Sequence, residues 1–519
     1  MKILLFSCPD ATHPLFPRFS KNPQLGLCML AAAVKDLAEV KVADLSLRRE
    51  DVRAGIREAM AAVQPDLVGI SAMTFQYETA KKIGAFVRSL TPGLPLVLGG
   101  YHASLAYEDI ARDPGQPFDF ISRGEGEVVF RELVLALARE GDPKSIPGLS
   151  ARDGSSFRHN PSRPVEPLAA LPLPDRGARL WQGYHIFEKP FDHIESSRGC
   201  TMPCTFCSIT RHYGRNYRTY GIPRILEDVR AAYAAGGREL FFVDDNITLD
   251  VKRFEAICDA LLGLGLPDLK FTTQGSVAGF YDRPELIRKM ARAGFNLVFL
   301  GIENMSPRNL AYYKKGEIAQ KTEWVLRELH AHDLMVMGGF ILGSPTDTRE
   351  DILHQFEFMR KWSIDSFLIQ ILTPYPGTPL TEGLERDGYI VNRDLRRYSG
   401  FFATVRTDTL SSYELDFIKW KHQPYYRDPK WFFTAPAAKL YPWQLVATEF
   451  RRRALEYFTE KFWTLLGGEK LAFRKYMAGH LNANCFFGEK IAPEWPDLSP
   501  APAGDPRRVP NEKPACPAG

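Results

Sequence analysis

Short apolar runs alternate with amphipathic stretches along the first part of the chain, residues 1–140. The runs have the length and composition of buried strands, and they cover 3–6, 40–45, 67–71, 94–98 and 118–122. The stretches between them have helical spacing, and they cover 25–37, 52–63 and 77–90. Because strands that alternate with helices form parallel sheets with helices on both faces, the pattern predicts an α/β domain with a doubly wound parallel sheet.

Small or polar residues follow three of these predicted strands. Ligands of a doubly wound sheet bind beyond the carboxyl ends of its strands, and glycine there lets a flat ligand lie close to the backbone. A glycine that merely makes a turn is the alternative at any single position. The candidate ligand contacts at this edge are Ser71, Thr74, Gly99, Gly100, His102, Gly124 and Glu125.

The alternation of strands and helices resumes over residues 186–385, after a stretch at 141–185 whose Pro, Arg, Gly and Ser content predicts a linker. The six strand-like runs are 193–196, 240–243, 270–273, 297–300, 335–342 and 367–372. Helical spacing between them is clearest over 225–235 and 352–362. Six β-α units predict a partial (β/α)6, TIM-like barrel with its active site at the carboxyl ends of its strands.

The remaining chain predicts a mainly helical C-terminal domain over 386–497, rich in aromatic residues and arginine, with an amphipathic helix at 455–466. The aromatic stripe faces a core in one interpretation and a substrate or a membrane surface in the other. The last twenty residues contain six prolines and no apolar periodicity, which predicts a disordered tail over 498–519.

Composition narrows the class of protein. The 519 residues are 45% hydrophobic and 25% charged, as in an ordinary globular protein. A net charge of +4, from 66 basic and 62 acidic residues, creates no field that would attract nucleic acid. There is no apolar run of about 18 residues and no signal-peptide pattern, so we expect a cytoplasmic protein.

Three cysteines, Cys200, Cys204 and Cys207, follow the first predicted barrel strand on one short loop. Three thiolates in this arrangement can bind three irons of a cubane cluster and leave the fourth iron open to a small molecule. A zinc site is the alternative, with its fourth ligand from His212 or Cys258. A disulfide fits less well, because eight cysteines without a signal peptide indicate a reducing compartment.

The CxxxCxxC spacing, with Phe206 just before the last cysteine, resembles the cluster loop of the radical S-adenosylmethionine (radical SAM) superfamily. In that family the open iron takes the amino and carboxylate groups of SAM, and reduction splits SAM to give a 5'-deoxyadenosyl radical. The resemblance implies a 4Fe-4S cluster held by Cys200, Cys204 and Cys207, with SAM beside it. It also implies an electron donor such as flavodoxin or ferredoxin.

Acidic strand ends in the predicted barrel resemble family elements that contact SAM. Asp244 and Asp245 stand where the family usually has a Gly-Gly-Glu-like turn that meets the amino group, and carboxylates suit an ammonium partner. For Asp245 and Asn246 a helix N-cap is the alternative. Glu303, after the fourth strand, resembles a glutamate that reaches SAM, although it could instead pair with an arginine.

Three further positions are weaker candidates for cofactor contacts. The fifth strand and the turn after it, from Gly338 to Gly343, resemble the glycine-rich strand that lies beneath adenine, with close backbone packing as the alternative for Gly338 and Gly339. Tyr375 lies in a turn that is common in cobalamin-dependent members of the family. Gln274, after the third strand, is a candidate ribose contact or else a polar surface residue.

The N-terminal strand ends resemble a cobalamin-binding domain of the kind that precedes many radical SAM enzymes. A Ser-x-Met beginning at Ser71 is followed, one helix and one strand later, by Gly99 and Gly100, as in the second and third elements of that domain. The first element, Asp-x-His-x-x-Gly, is absent, because Asp10 and His13 have a different spacing. The resemblance therefore implies cobalamin whose lower face is free of histidine. In that case His13 is a polar loop residue, and the alternative is that His13 binds the cobalt.

Together these features resemble those of the cobalamin-dependent radical SAM enzymes, and in particular those of the class B methyltransferases. They imply that the enzyme methylates an unactivated carbon in a small or lipid-like substrate. A lipid-like substrate would be compatible with peripheral contact between the protein and a membrane. An enzyme of the same architecture without methyl transfer, similar to the anaerobic magnesium-protoporphyrin ester cyclase or to a ring-rearranging enzyme, is the first alternative.

Two other classes fit less well. A tRNA methylthiotransferase is disfavoured, because the N-terminal domain of that family carries three cluster cysteines and this one has only Cys8 and Cys28. The second class is a non-catalytic module that binds cobalamin or zinc.

Overall fold

The structure is a computed structural model that describes residues 1–11, 20–139, 141–362, 364–422, 436 and 442–498, without the side chains of 442–457 and 498. His13, the aromatic and arginine-rich stretch at 423–435 and the tail from residue 499 lie outside the described residues.

The described residues form an α/β protein, as the sequence predicts. The strands are β1 (Lys2–Ser7), β2 (Ser20–Lys21), β3 (Glu39–Asp44), β4 (Leu67–Ser71), β5 (Leu96–Gly99), β6 (Phe120–Ser122), β7 (Leu149–Asp153), β8 (Ser156–His159), β9 (His185–Ile186), β10 (Lys189–Ile194), β11 (Ser197–Arg198), β12 (Arg218–Thr219), β13 (Glu239–Phe242), β14 (Lys270–Ser276), β15 (Phe295–Glu303), β16 (Met335–Leu342) and β17 (Ser366–Ile371).

The helices connect these strands and cover their faces. They are α1 (Leu25–Ala33), α2 (Val52–Val63), α3 (Tyr77–Leu90), α4 (Tyr101–Leu105), α5 (Tyr107–Arg112), α6 (Gly126–Ala138), α7 (Ile209–His212), α8 (Ile222–Ala234), α9 (Val251–Leu262), α10 (Val277–Phe280), α11 (Pro284–Arg292), α12 (Pro307–Tyr312), α13 (Ala319–Ala331), α14 (Arg349–Lys361), α15 (Pro379–Arg386), α16 (Ser412–His422) and α17 (Pro442–Asn482).

The first sheet has seven strands in the order β3-β1-β4-β5-β6-β7-β8, of which the first five are parallel. Side chains of β1 alternate between its two faces. Leu4 and Phe6 pack with α2 and α3, whereas Ile3 and Leu5 pack with α1 and α6. The strand order reverses between β1 and β4, which is where such a sheet opens a ligand crevice beyond its carboxyl ends.

The second sheet has the order β17-β16-β15-β14-β13-β10-β9-β2. Six strands, β10 and β13 to β17, are parallel and correspond to the six predicted barrel strands. One large apolar core lies between them and their helices. The carboxyl ends of all six strands therefore form one edge, and the cysteine loop follows β10 at that edge.

The segment predicted as a linker, residues 141–185, contains more structure than its composition indicated. Strands β7 and β8 form an antiparallel hairpin that extends the first sheet. Arg176 and Arg179 are buried, and both donate to the carboxylate of Asp192 in β10, at 3.0 Å and 2.7 Å. This segment thus packs against both sheets, because its few apolar side chains, such as Leu149 and Leu168, are buried.

The described C-terminal residues are mainly helical. Trp420 of α16, Phe473 of α17 and Trp495 pack in one aromatic cluster, so this part of the aromatic stripe faces a core. Helix α17 kinks at Gly467 and Gly468. Within the part of the chain that the structure describes, no helix has the length and hydropathy needed to cross a bilayer.

Gly69 in the middle of β4 offers a test of the first sheet. A Cβ there would lie 2.6 Å from Cδ2 of Leu5, inside the apolar layer. We therefore expect Gly69→Ala to lower the free energy of unfolding by about 1–3 kcal/mol, measured by denaturant titration. Gly26→Ala is the matched control, because nothing lies within 4 Å of its Cβ position, and it should leave stability unchanged or higher. Equal stability of the two variants would contradict this packing.

Candidate functional site

A cavity of about 310 Å³ lies where the carboxyl ends of the two sheets meet. Its walls come from the turns after β4, β5 and β6 on one side and from the turns after β10 and β13 on the other. The cavity thus brings together strand ends that are far apart in the sequence. The predicted site residues in its lining are Ser71, Gly99, Gly100, Gly124, Glu125 and Asp245.

Glycine is needed at the first wall of this cavity. Gly100 has a φ of +92°, and a Cβ there would lie 2.8 Å from the main-chain oxygen of Ala72. Around Gly99 and Gly124, by contrast, a Cβ would meet nothing within 4 Å, so their backbone borders open space. An edge of bare backbone beside open space fits a flat cofactor such as cobalamin.

Thr74 and His102, also predicted to contact cobalamin, do not line the cavity. Thr74 begins a buried 3-10 turn. His102 packs its ring 4.6 Å from that of Tyr77, and it lines a separate cleft. Burial lowers the pKa of His102 to about 4, so its imidazole is neutral at pH 7.

A buried ion cluster joins the two sheets beside the cavity. The Arg198 guanidinium donates to Glu127 at 2.7 Å, to Glu195 at 2.9 Å and to Glu125 at 3.3 Å. Glu125 also accepts from Arg218 at 2.6 Å. Burial alone would lower the pKa of Arg198, but the carboxylates of Glu195 and Glu127 outweigh burial and hold that pKa well above its usual range. The carboxylate of Glu125 is therefore engaged by two arginines of the barrel side.

The three cysteines lie on the loop that begins two residues after Arg198, and all three are half-buried free thiols. Burial raises the pKa of Cys207 to about 12 and raises that of Cys200 and Cys204 as well. Iron binds the thiolate, so loading a cluster must displace these protons. The main chain of Thr205 secures the loop, since its N–H donates to the oxygen of Tyr313 at 3.2 Å.

Among the described residues, no group of three or more His, Cys, Asp and Glu side chains is arranged to hold a single metal ion. A cubane cluster differs from a single ion, because each of its three cysteines bonds a different iron. Three thiols on one loop at the barrel edge fit that requirement.

Glu303 ends β15 beside the cysteines, with a φ of +62° that is rare for a residue with a side chain. Its carboxylate pairs with Lys315 at 2.9 Å, so its partner is a lysine rather than an arginine. Burial would lower the pKa of Lys315, but Glu303 and the nearby thiol of Cys204 outweigh burial and raise it. The cysteine loop thus has a buried cation next to it.

The two neighbouring aspartates after β13 have different surroundings. The Asp244 carboxylate is fully buried and accepts from the N–H and Oγ of Ser196, at 3.0 and 2.6 Å, and from the hydroxyl of Ser197. The Asp245 carboxylate accepts from the N–H of Gly199 at 2.8 Å and lines the cavity. Burial raises the pKa of Asp245 to about 6. Asp245 is therefore the one that faces the space between the sheets.

Two polar residues near these aspartates have local partners. Gln274 donates its amide to the main-chain oxygen of Asp244 at 2.5 Å. Asn246 accepts from the N–H of Thr248 at 3.2 Å, so it caps a short 3-10 turn, as the N-cap alternative predicted.

The remaining predicted contacts surround the cysteine loop and the end of β16. Tyr375 is half-buried, and desolvation together with the nearby thiol of Cys207 raises its pKa to about 12. The Phe206 ring packs edge-on to Tyr313, with centroids 5.4 Å apart. Gly343 has a φ of +84°, and its N–H donates to the Asp347 carboxylate at 2.9 Å.

An aromatic contact that the sequence did not reveal closes one side of the cavity. Tyr101, directly after Gly100, stacks on His212 with centroids 4.3 Å apart, and Tyr213 meets it edge-on at 6.4 Å. Burial lowers the pKa of His212 to about 4, which keeps its ring neutral. The contact joins α4 of the first sheet to α7, which follows the cysteine loop.

Comparison with known families divides the chain at the same two sheets. Residues 18–134 match the B12 binding domain family, and residues 194–359 match the Radical SAM superfamily.

Two curated relatives extend over most of the chain. An uncharacterized methyltransferase from Pyrococcus horikoshii is 30% identical over 433 residues, which are 83% of this chain and 93% of that protein. An anaerobic magnesium-protoporphyrin IX monomethyl ester cyclase from Cereibacter sphaeroides is 26% identical over 77% of this chain and 64% of the cyclase.

A solved structure has a similar fold. It is the radical S-adenosylmethionine methyltransferase TsrM from Kitasatospora setae, with tryptophan substrate and a SAM analogue bound. The TM-score is 0.62 at 20% identity, over 76% of this chain and 78% of that one.

Arg198 provides a test of the junction between the sheets. Arg198→Met removes the cation shared by the buried Glu127 and the half-buried Glu125 and Glu195, so the free energy of unfolding should fall by about 3 kcal/mol in denaturant titration. Arg211→Met is the matched control, because Arg211 is exposed and lies 3.4 Å from Glu382, and its loss should change stability by about 0.5 kcal/mol or less. If both variants unfold like the wild type, the ion cluster does not hold the junction.

Proposed function

We propose, because this chain belongs to the cobalamin-dependent radical SAM enzymes, that it transfers a methyl group to an unactivated carbon of a small or lipid-like substrate. The relative from Pyrococcus horikoshii, 93% of whose length this chain covers, is itself named a methyltransferase. The observation that carries the proposal is the shared cavity. The glycine edge of the first sheet forms one wall, and Asp245 together with residues just before and just after the cysteine loop, Arg198 and His212, forms the other. A methyl donor and a radical source on opposite walls would meet a substrate between them.

The residues divide into two binding surfaces. Cys200, Cys204 and Cys207 would hold the 4Fe-4S cluster, while Asp245 and Glu303 would meet the amino group of SAM. The glycine edge would hold cobalamin. When bound, these groups supply a radical that activates the substrate carbon and a methyl group that replaces its hydrogen. An external donor such as flavodoxin or ferredoxin would provide the electrons.

The protein's own contribution is to position these surfaces and to keep the space between them dry. Arg198 is fixed by three carboxylates, so the cysteine loop that follows it is anchored to the first sheet. The stacked rings of Tyr101 and His212 cover one side of the cavity without placing a charge there, since His212 is neutral. Excluding water protects a reactive species from side reactions.

Cyclisation or ring rearrangement without methyl transfer is the second candidate. It is supported by the similarity of 77% of this chain to a protein named as an ester cyclase. Both candidates use the same cofactors and the same cavity, so they differ in the fate of the substrate.

Iron binding tests the assignment of the cysteines. Anaerobic reconstitution should give a brown protein with about four irons per chain, and Cys204→Ala should lose both the iron and the reductive cleavage of SAM. Cys485→Ala is the control, because Cys485 is a half-buried free thiol outside the loop, and it should keep both. Zinc in the isolated protein with no uptake of iron would contradict the assignment.

Product analysis separates the two candidate reactions. The reconstituted protein with cobalamin, SAM and a reductant would be incubated with an extract of its own cells, and the nucleoside products measured by mass spectrometry. Methyl transfer should release S-adenosylhomocysteine and 5'-deoxyadenosine in equal amounts, because one SAM supplies the methyl group and another the radical. Formation of 5'-deoxyadenosine alone would rule out methylation and favour cyclisation or rearrangement.

A further inference from the structure

A second and larger opening, a cleft of about 960 Å³, lies beside the cavity. Helices α3 to α5 form one wall, and the segment 391–397 together with residues 490–496 forms the other. The residues that matter for its chemistry are Tyr77, His102, Pro376, Arg397, Lys490 and Glu494.

Two residues that line the cleft directly follow residues of the proposed reaction site in the sequence. Tyr101 lines the cavity, and the next residue, His102, lines the cleft. Tyr375 is close enough to Cys207 for its pKa to respond to that thiol, and the next residue, Pro376, lines the cleft. The cleft is therefore lined by residues that adjoin the cavity wall at Tyr101 and the surroundings of the cysteine loop at Tyr375.

Arg397 is the unusual residue of the cleft. It is the largest side chain that is almost completely buried, with 2% exposure. Its Nε and Nη1 atoms have no hydrogen-bond partner among the described residues. A guanidinium carries five donors and a permanent charge, so burying it unpaired is unfavourable unless a ligand compensates.

Most of the other charges at the cleft are already paired. Asp113 accepts from Lys81 at 2.8 Å, and Glu78 pairs with the same lysine at 2.9 Å. Asp394 pairs with Arg396 at 2.7 Å. Asp113 and Glu78 are thus neutralised by another cation, and Asp394, which also acts on Arg397 through space, is bonded to Arg396 instead.

Three carboxylates lie near Arg397 without bonding it, and one of them, Asp394, is already paired with Arg396. Asp416 acts on it through space, but the Asp416 carboxylate accepts from the indole of Trp495 and the N–H of Ala403, both at 2.8 Å. Glu494 also acts through space and is exposed at the rim, near Lys490. The nearest acids therefore leave the donors of Arg397 unused.

His102 is a second buried polar group at the cleft with unused capacity. Its side chain is 2% exposed, and its Nδ1 has no hydrogen-bond partner in the described part of the chain. A neutral imidazole can donate from one ring nitrogen and accept at the other. Arg397 on one wall and His102 on the other supply a cation and a hydrogen-bond donor, which match an oxyanion bound between the walls.

We propose that the cleft binds a carboxylate or phosphate group of the substrate, with Arg397 as its ion-pair partner and His102 as a hydrogen-bond donor. The assignment of this anion to the methyl-accepting molecule rests on the proposed function, whereas the anion site itself does not. The anion site narrows the proposed substrate class from any small or lipid-like molecule to one that carries an acidic group. It also gives His102 a different role from the cobalamin contact that its sequence position predicts.

Thermal unfolding of the cobalamin-loaded protein with inorganic phosphate or with succinate tests the site, because a ligand that binds only the folded state raises the unfolding temperature. The wild type should be stabilised by at least one of the two. Arg397→Met should weaken that anion's binding by about tenfold or more, since a charge-assisted bond is lost. Arg386→Met, which removes an exposed arginine paired with Asp387, should respond like the wild type.

The response also identifies the anion. Stabilisation by phosphate alone assigns a phosphate group, by succinate alone a carboxylate, and by both a site for either. Without an anion, Arg397→Met should be at least as stable as the wild type, because an unpaired buried charge is gone. If it fails to fold, Arg397→Lys replaces it and should bind more weakly than the wild type, since a lysine lacks the planar fork of donors.

Two results would overturn the site. One is no stabilisation of the wild type by either anion, and the other is an undiminished response in both Arg397 variants. The Cys204→Ala protein should keep the anion response, so a failure of the radical chemistry and a failure of the anion site are distinguishable.

Discussion

The buried ion pairs of Arg198 are the constraint on which the rest of the site depends. One guanidinium, itself buried, is shared by Glu125 and Glu127 from the edge of the first sheet and by Glu195 from the start of the barrel loop. Because a buried charge requires its partners, the carboxyl ends of the two sheets cannot separate without exposing or stranding it. The first of the three cysteines comes two residues later, so the same interaction fixes the start of the cysteine loop beside the first sheet.

The same arrangement surrounds the proposed reaction site with largely buried groups. The thiols are held protonated by burial, next to the Lys315–Glu303 pair, and iron must displace their protons. Neutral aromatic rings from Tyr101 and His212 cover the junction. The adjoining cleft adds a charged feature that the cavity lacks, the unpaired guanidinium of Arg397. A dry reaction space with an anion anchor beside it would orient one carbon of a substrate towards the cavity.

Much of the fold could be predicted from periodicity, because helices and strands with one buried face repeat at fixed intervals. The predicted helices at 52–63 and 77–90 have the observed bounds, and every predicted strand corresponds to an observed one. The β7–β8 hairpin was missed, since it lies in a proline-rich segment and its strands are recognisable only from the pairing of β7 with β6.

The partners of individual side chains were harder to predict from the sequence than the strands and helices. Arg198 and Glu127 are 71 residues apart, and nothing local links them. Asp244 and Asp245 look equivalent in sequence, yet only the second faces the cavity.

Magnetic coupling between the cobalt of cob(II)alamin and a reduced 4Fe-4S cluster tests whether the two cofactor sites share one cavity. Electron paramagnetic resonance can be recorded on the protein loaded with cob(II)alamin and a reduced 4Fe-4S cluster, and on the Cys204→Ala protein loaded with cob(II)alamin alone. If the glycine edge and the cysteine loop face each other as described, the cobalt signal should be broadened and relax faster in the first sample than in the second. Identical cobalt signals, in a first sample whose cluster is shown to be present and reduced, would contradict the shared cavity.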